Sequence, residues 1–174
     1  YDLKVVPQEG FGYRVCCVDS VEAPVLVAAV SAEKLFDVFM GLVEELAPEP
    51  GCMLDVYLES SHAMRRAGEE AKDLSCGEHD AVVLRSLLWD WTQLLLDDGC
   101  AGISLVREDT GGELRFDEHK FLAVYGPDRE YLRRFDQYLR SQGIPYRPRL
   151  PLLIDAVHVH STDQRLQEQF EELK

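Results

Sequence analysis

The run Ser75–Gly99, SCGEHDAVVLRSLLWDWTQLLLDDG, constrains this chain more than any other stretch. Val83, Leu84, Leu87, Leu88, Trp91, Leu94 and Leu95 recur at the i, i+3, i+4 spacing of a single helical face. Ser75 and Glu78 offer a capping box, and Gly99 a stop. The pattern predicts one long helix over Glu78–Asp98, apolar enough to face a core on more than one side.

On either side of that helix the punctuation repeats. Upstream, Tyr13–Asp19, Val25–Val30 and Met53–Glu59 read as strands. Between them, Ser31 caps a helix whose face is Leu35, Phe36, Phe39, Leu42, Val43 and Leu46. Leu3–Val6 is a further short edge strand. Downstream, Ala101–Arg107 is a strand, followed by the turn Glu108–Gly112. Glu113–Asp117 and His119–Tyr125 read as two strands, or as one strand with a bulge near Glu118. A helix runs from Pro127 to Gly143 on Tyr131, Leu132, Phe135, Tyr138 and Leu139. Leu152–Ser161 reads as a last strand, and Asp163 caps a terminal helix over 163–174.

VAAV at Val27–Val30 answers LAVY at Leu122–Tyr125, and Leu35, Phe36 and Phe39 answer Tyr131, Leu132 and Phe135. The expectation is a single compact α+β domain over 1–174. It would contain two pseudo-repeated strand-strand-helix-strand units, 1–59 and 101–161, in ferredoxin-like layering. Loop 60–74, with a helical turn around Met64–Lys72, and helix 78–98 would link them.

Thirty-two acidic against eighteen basic residues give a formal charge of −14. Such a field repels nucleic acid and anionic lipid, so neither is an expected partner. No apolar run approaches the length of a membrane helix. The start at Tyr1-Asp2 shows no charged-then-apolar leader, so no signal peptide is expected, with residues before Tyr1 left open. Five cysteines without a CxxC pair argue against a disulfide framework and a zinc knuckle, and for a reducing, cytoplasmic setting. Arginine outnumbers lysine and asparagine is absent, as in a GC-rich, bacterial genome.

His158 and His160 are the sharpest chemical feature. Two apart on a strand, they leave the same face and could hold a first-row metal. A third ligand would come from Asp117, Glu118 or His119. Asp117 and His119 could also share a face for acid–base work. Cys16 and Cys17 point oppositely on a strand and cannot act as a pair. Trp91 belongs to the apolar stripe, whereas Trp89 lies beside it. Against the global charge, Arg129–Arg149 carries six arginines. Arg133 and Arg140 are its candidate contacts for a phosphate or an acidic partner. There is no GxSxG elbow, GxxxxGK[ST] loop or GxGxxG turn.

No motif for a defined reaction is present. The chain therefore reads as a non-catalytic, acidic cytoplasmic protein-interaction or small-ligand-binding domain. No cofactor is expected, with a divalent metal and a homodimer left open. The alternative is a metal-binding protein or metal-dependent enzyme using His158 and His160, with a divalent ion as cofactor.

Overall fold

Val25, Leu26, Val27 and Ala28 are consecutive in a strand and all buried, so that strand must be covered on both faces. The computed structural model, which describes residues 8–18, 21–60, 74–155 and 160–173, shows how. In chain order the elements are β1 (Gly10–Val18), β2 (Val21–Ala29), α1 (Ala32–Leu46), β3 (Met53–Ser60), β4 (Leu74–Asp80), α2 (Ala81–Asp90) and α3 (Thr92–Asp97). They continue with β5 (Ala101–Arg107), β6 (Gly112–Phe116), β7 (Phe121–Tyr125), α4 (Arg129–Ser141), a 3-10 turn at Leu153–Asp155 and α5 (Gln164–Leu173). The fold is α+β, with one seven-stranded antiparallel sheet in the order β1-β2-β7-β6-β5-β3-β4.

Strand alternation separates the two faces. Leu26, Ala28, Leu54, Val56, Ile103, Leu105, Leu114, Phe116, Leu122 and Val124 join the helices in one core. Every expected face residue of α1 is buried there, as are Leu132, Phe135 and Leu139 of α4. Each large side chain so buried contributes about 1.5–3 kcal/mol. Gly41 has no Cβ to obstruct the Tyr138 ring, which lets α4 close on α1.

On the opposite face, Val25, Val27, Phe121 and Ala123 are covered by Leu150 and Leu152. The chain leaving α4 reaches that face along the outer edge of β1. There the Phe11 N–H donates to the Pro145 carbonyl at 3.0 Å, and the Arg147 N–H donates to the Phe11 carbonyl at 2.7 Å. This strap lies flat because position 12 is glycine: a Cβ there would sit 2.4 Å from the Arg147 oxygen. The other edge, β4, is distorted by a register shift between Val56 and Tyr57 opposite Gly77, whose φ is +86°. Such a bulge keeps an edge from templating further strands.

Three expectations change. The helix over 78–98 begins later and is broken. Leu74–Asp80 pairs with β3 as an edge strand, and Asp80 is the true N-cap, accepting from Val82 N–H at 2.9 Å and Val83 N–H at 3.2 Å. At Trp91 the backbone leaves helical geometry and the Thr92 hydroxyl bonds the Trp89 carbonyl, dividing α2 from α3. Leu84, Leu88, Leu94 and Leu95 are buried, whereas Val83 and Leu87 are exposed. Second, the described part of Leu152–Ser161 is a 3-10 turn and irregular chain, not a strand. Three prolines remove ladder donors before it. Third, α4 starts at Arg129 rather than Pro127, because the Asp128 carboxylate accepts from Tyr131 N–H at 2.8 Å. The strand at Leu3–Val6, the turn at Met64–Lys72 and residue His158 lie outside the described residues. Among the described residues, no helix is long and apolar enough to cross a membrane.

Candidate metal centre

The β6–β7 connection is a four-residue turn, Asp117–Lys120. The Lys120 N–H donates to the Asp117 carbonyl at 2.9 Å, and the Asp117 N–H to the Phe121 carbonyl at 3.0 Å. Within the turn the Asp117 carboxylate accepts the backbone N–H of His119 at 2.8 Å, an Asx-turn of the kind aspartate favours. The same oxygen receives Nδ1 of the His119 ring.

Lys120 closes the turn in the left-handed region, at φ 63°. From there its ammonium donates to the carbonyls of Leu95 (2.7 Å), Asp98 (2.6 Å) and Ala101 (3.4 Å). Three protons meet three acceptors where α3 ends, the end of a helix that favours a cation. Burial nevertheless pulls the ammonium from the ordinary 10.5 down to about 8, against the opposing pull of Asp98, Asp117, Glu118 and Asp97. Asp98 is fully buried and anchors the same corner by accepting the Cys100 N–H at 2.9 Å.

Gly99 brings in the third segment. Its N–H donates to the Ser161 carbonyl at 3.0 Å, and its carbonyl accepts His160 Nδ1 at 2.6 Å. A Cβ at position 99 would lie 2.9 Å from the Ser161 oxygen, so the approach requires glycine. The His160 ring then stands edge-on to His119, centroids 4.8 Å apart, with Nδ1 3.4 Å from the Glu118 carboxylate. His119 also stacks on Phe121. Glu118, His119, Lys120 and His160 line a small cavity of about 180 Å³.

The tautomers follow from the partners. Carboxylate and carbonyl oxygens only accept, so Nδ1 carries the proton in both rings when they are neutral. Nε2 is then the nitrogen with the lone pair in each. Tying Nδ1 to an oxygen acceptor is how proteins orient metal-binding histidines. Taking one ring nitrogen of either kind from each histidine and one carboxylate oxygen, Glu118, His119 and His160 bring three donor atoms within 4.8 Å of one another.

Of the residues singled out from sequence, Asp117, His119 and His160 meet here, with Asp117 behind His119 as its orienting group. Glu118 joins them because the turn, unlike a regular strand, brings it to the same side as His119. Arg133 and Arg140 are elsewhere, on α4. Arg133 is exposed and paired with Glu130 at 3.1 Å, and Arg140 is held by Asp136 and lies over the rings of Phe11 and Tyr146. Lys120 is not among the residues singled out from sequence, and Gly99 is there only as a helix stop: a lone lysine beside a charged triplet and a glycine at a helix end carry no signal of a site.

Fold and site together define an α+β domain with an imidazole–carboxylate cluster at the β6–β7 turn. No family model, curated protein or solved structure matches the chain.

Proposed function

We propose that this chain is a non-catalytic small-ligand-binding domain whose ligand is a divalent transition-metal ion, held by Glu118, His119 and His160. The observation that carries the reading is the pairing of each imidazole Nδ1 with an oxygen acceptor, beside a carboxylate. Nitrogen and oxygen donors of this kind suit zinc and its neighbours. Charge supports it: Asp97, Asp98, Asp117 and Glu118 act on the single ammonium of Lys120, an excess that a divalent cation offsets. Binding rather than turnover is favoured because Asp117 and Lys120, two of the four acid–base groups of the same turn, are committed to His119 and to three carbonyls.

Free thiols at Cys16, Cys52, Cys76 and Cys100 support a reducing, cytoplasmic setting. The internal duplication belongs to the same proposal. β1–β2–α1 and β6–β7–α4 are both hairpin–helix modules, and β2 lies beside β7.

The test is elemental analysis of protein purified without a histidine tag, followed by calorimetric titration of the stripped protein with zinc, manganese, iron and nickel. One ion per chain, lost in both His119→Ala and His160→Ala, is the expected result. A metal-free protein whose thermal unfolding ignores all four ions would overturn the proposal.

A further inference from the structure

The basic segment seen in the sequence finds a use away from the metal cluster. On the sheet face opposite the main helices, the strap and β1 enclose a groove of about 310 Å³. Gly12, Val27 and Leu150 contribute its apolar surface, and Arg14, Arg147 and Arg149 its charge. Arg14 is neutralised: its guanidinium grips the Asp155 carboxylate at 3.0 and 2.6 Å and donates to the Leu150 carbonyl at 2.9 Å. Among the described residues the Arg147 side chain bonds only through Nε, to the Glu9 carbonyl at 2.8 Å, and its stem lies where a Cβ of residue 10 would be. The Glu9 carboxylate is turned away, toward Lys34 and the Ser31 N–H. Arg149 is exposed and makes no hydrogen bond or ion pair among the described residues. Among the described residues, two of the three guanidinium charges are thus without a carboxylate, in a protein of net charge −14.

We infer that this groove is an anion-binding site for a small organic oxyanion, a phosphomonoester or carboxylate carried on an apolar, ring-sized body. The chemistry on each side of the groove specifies both halves of such a ligand. Guanidinium groups present forked donors to phosphate or carboxylate oxygens. Pro148, exposed, and Pro151, half-buried, offer apolar surface for the rest over the buried Val27 and Leu150. The volume is at the lower end of the range for small-molecule sites, about 300–1,000 Å³, which sets the limit at a single ring. The strap preorganises the site, because its backbone is bonded to β1 on both sides of Tyr146. This inference is independent of the metal reading, since no residue is shared between the two sites.

The experiment is calorimetric titration of the whole chain with phenyl phosphate and with benzoate, using benzylamine as the cationic control. At least one anion should bind saturably, and the tighter of the two identifies the headgroup class. Arg149→Glu, at an exposed position that folding does not use, should weaken that binding about tenfold or more. Arg133→Glu, on α4, should leave it unchanged. Absence of saturable binding by both anions would overturn the inference. Equal affinity in Arg149→Glu and wild type would also overturn it, including the case of an anion entering through a bound metal. So would benzylamine binding as tightly as the anions.

Discussion

Asp117 accepts two hydrogen bonds from His119, one from the backbone N–H and one from the ring, so a single carboxylate sets both the turn and the tautomer. Glu118 sits between them and faces His160.

Replacing Asp117 with asparagine separates those roles. The amide oxygen can still accept the backbone N–H, but the charge that holds the ring proton is gone. Zinc affinity of Asp117→Asn should fall roughly 10–100-fold, with a stability loss of about 1 kcal/mol. Titration calorimetry and urea unfolding on the same sample read the two effects. Unchanged affinity would mean that the carboxylate shapes the turn and nothing more.

Lys120 makes stability depend on pH in the alkaline range. Its folded value is lowered to about 8 from an ordinary 10.5, so between those limits the unfolded chain binds more protons than the folded one. The penalty for burying the charge is complete below pH 8 and is relieved as pH rises toward 10.5. Wild type should therefore gain stability relative to Lys120→Met across that window, measured by denaturant midpoints at successive pH values. Tyr13 acts in the opposite sense at higher pH. Burial and the hydrogen bond to Asp136 raise its phenol from 10.0 to about 12, giving stability that is present below pH 10 and lost as pH climbs through 12. Tyr13→Phe should flatten that upper limb.

The exposed and buried sides of α2 should respond very differently to the same substitution. Leu88 is 2% exposed and belongs to the single core that joins all the described helices to the sheet, whereas Leu87 is 42% exposed. Leu88→Asp would bury a carboxylate without a partner and should unfold the protein in one transition. Leu87→Asp should change stability by no more than about 0.5 kcal/mol. Circular dichroism melts of the two variants decide it. If Leu88→Asp melts one part of the chain and leaves the rest folded, the core is not one cooperative unit.

Periodicity made α1 and α4 legible, because their apolar faces are wide and unbroken. The hairpin β6–β7 was legible as one of two alternatives. The edge strand β4 was not: LSCGEHD has no β-branched residue and alternates only over Leu74–Gly77, too short a pattern to mark a strand without β3 beside it. That missing strand also displaced the start of the central helix, since Glu78 resembles a capping residue while Asp80 does the capping. The apolar face then appeared wider than it is, because leucine and valine on the solvent side of α2 look no different in sequence from those in the core. At the site, Asp117, His119 and His160 were visible as ligand types. Their meeting depends on Gly99 and Ser161, whose contribution is backbone hydrogen bonding that no residue pattern announces.

The placing of β2 against β7 has a consequence for how the chain is made. Leu26 pairs with Val124, so the sheet is completed only by joining segments far apart in the sequence. On the ribosome the β1–β2 hairpin emerges before β7, with the β2 flank bare, and must wait until Phe121–Tyr125 is made before that neighbour exists. Contacts of such long sequence separation form slowly, and an unpaired flank is open to association with other chains meanwhile. Stalled or truncated synthesis that stops short of Phe121 would release a fragment with that flank permanently unprotected, a natural client for chaperones.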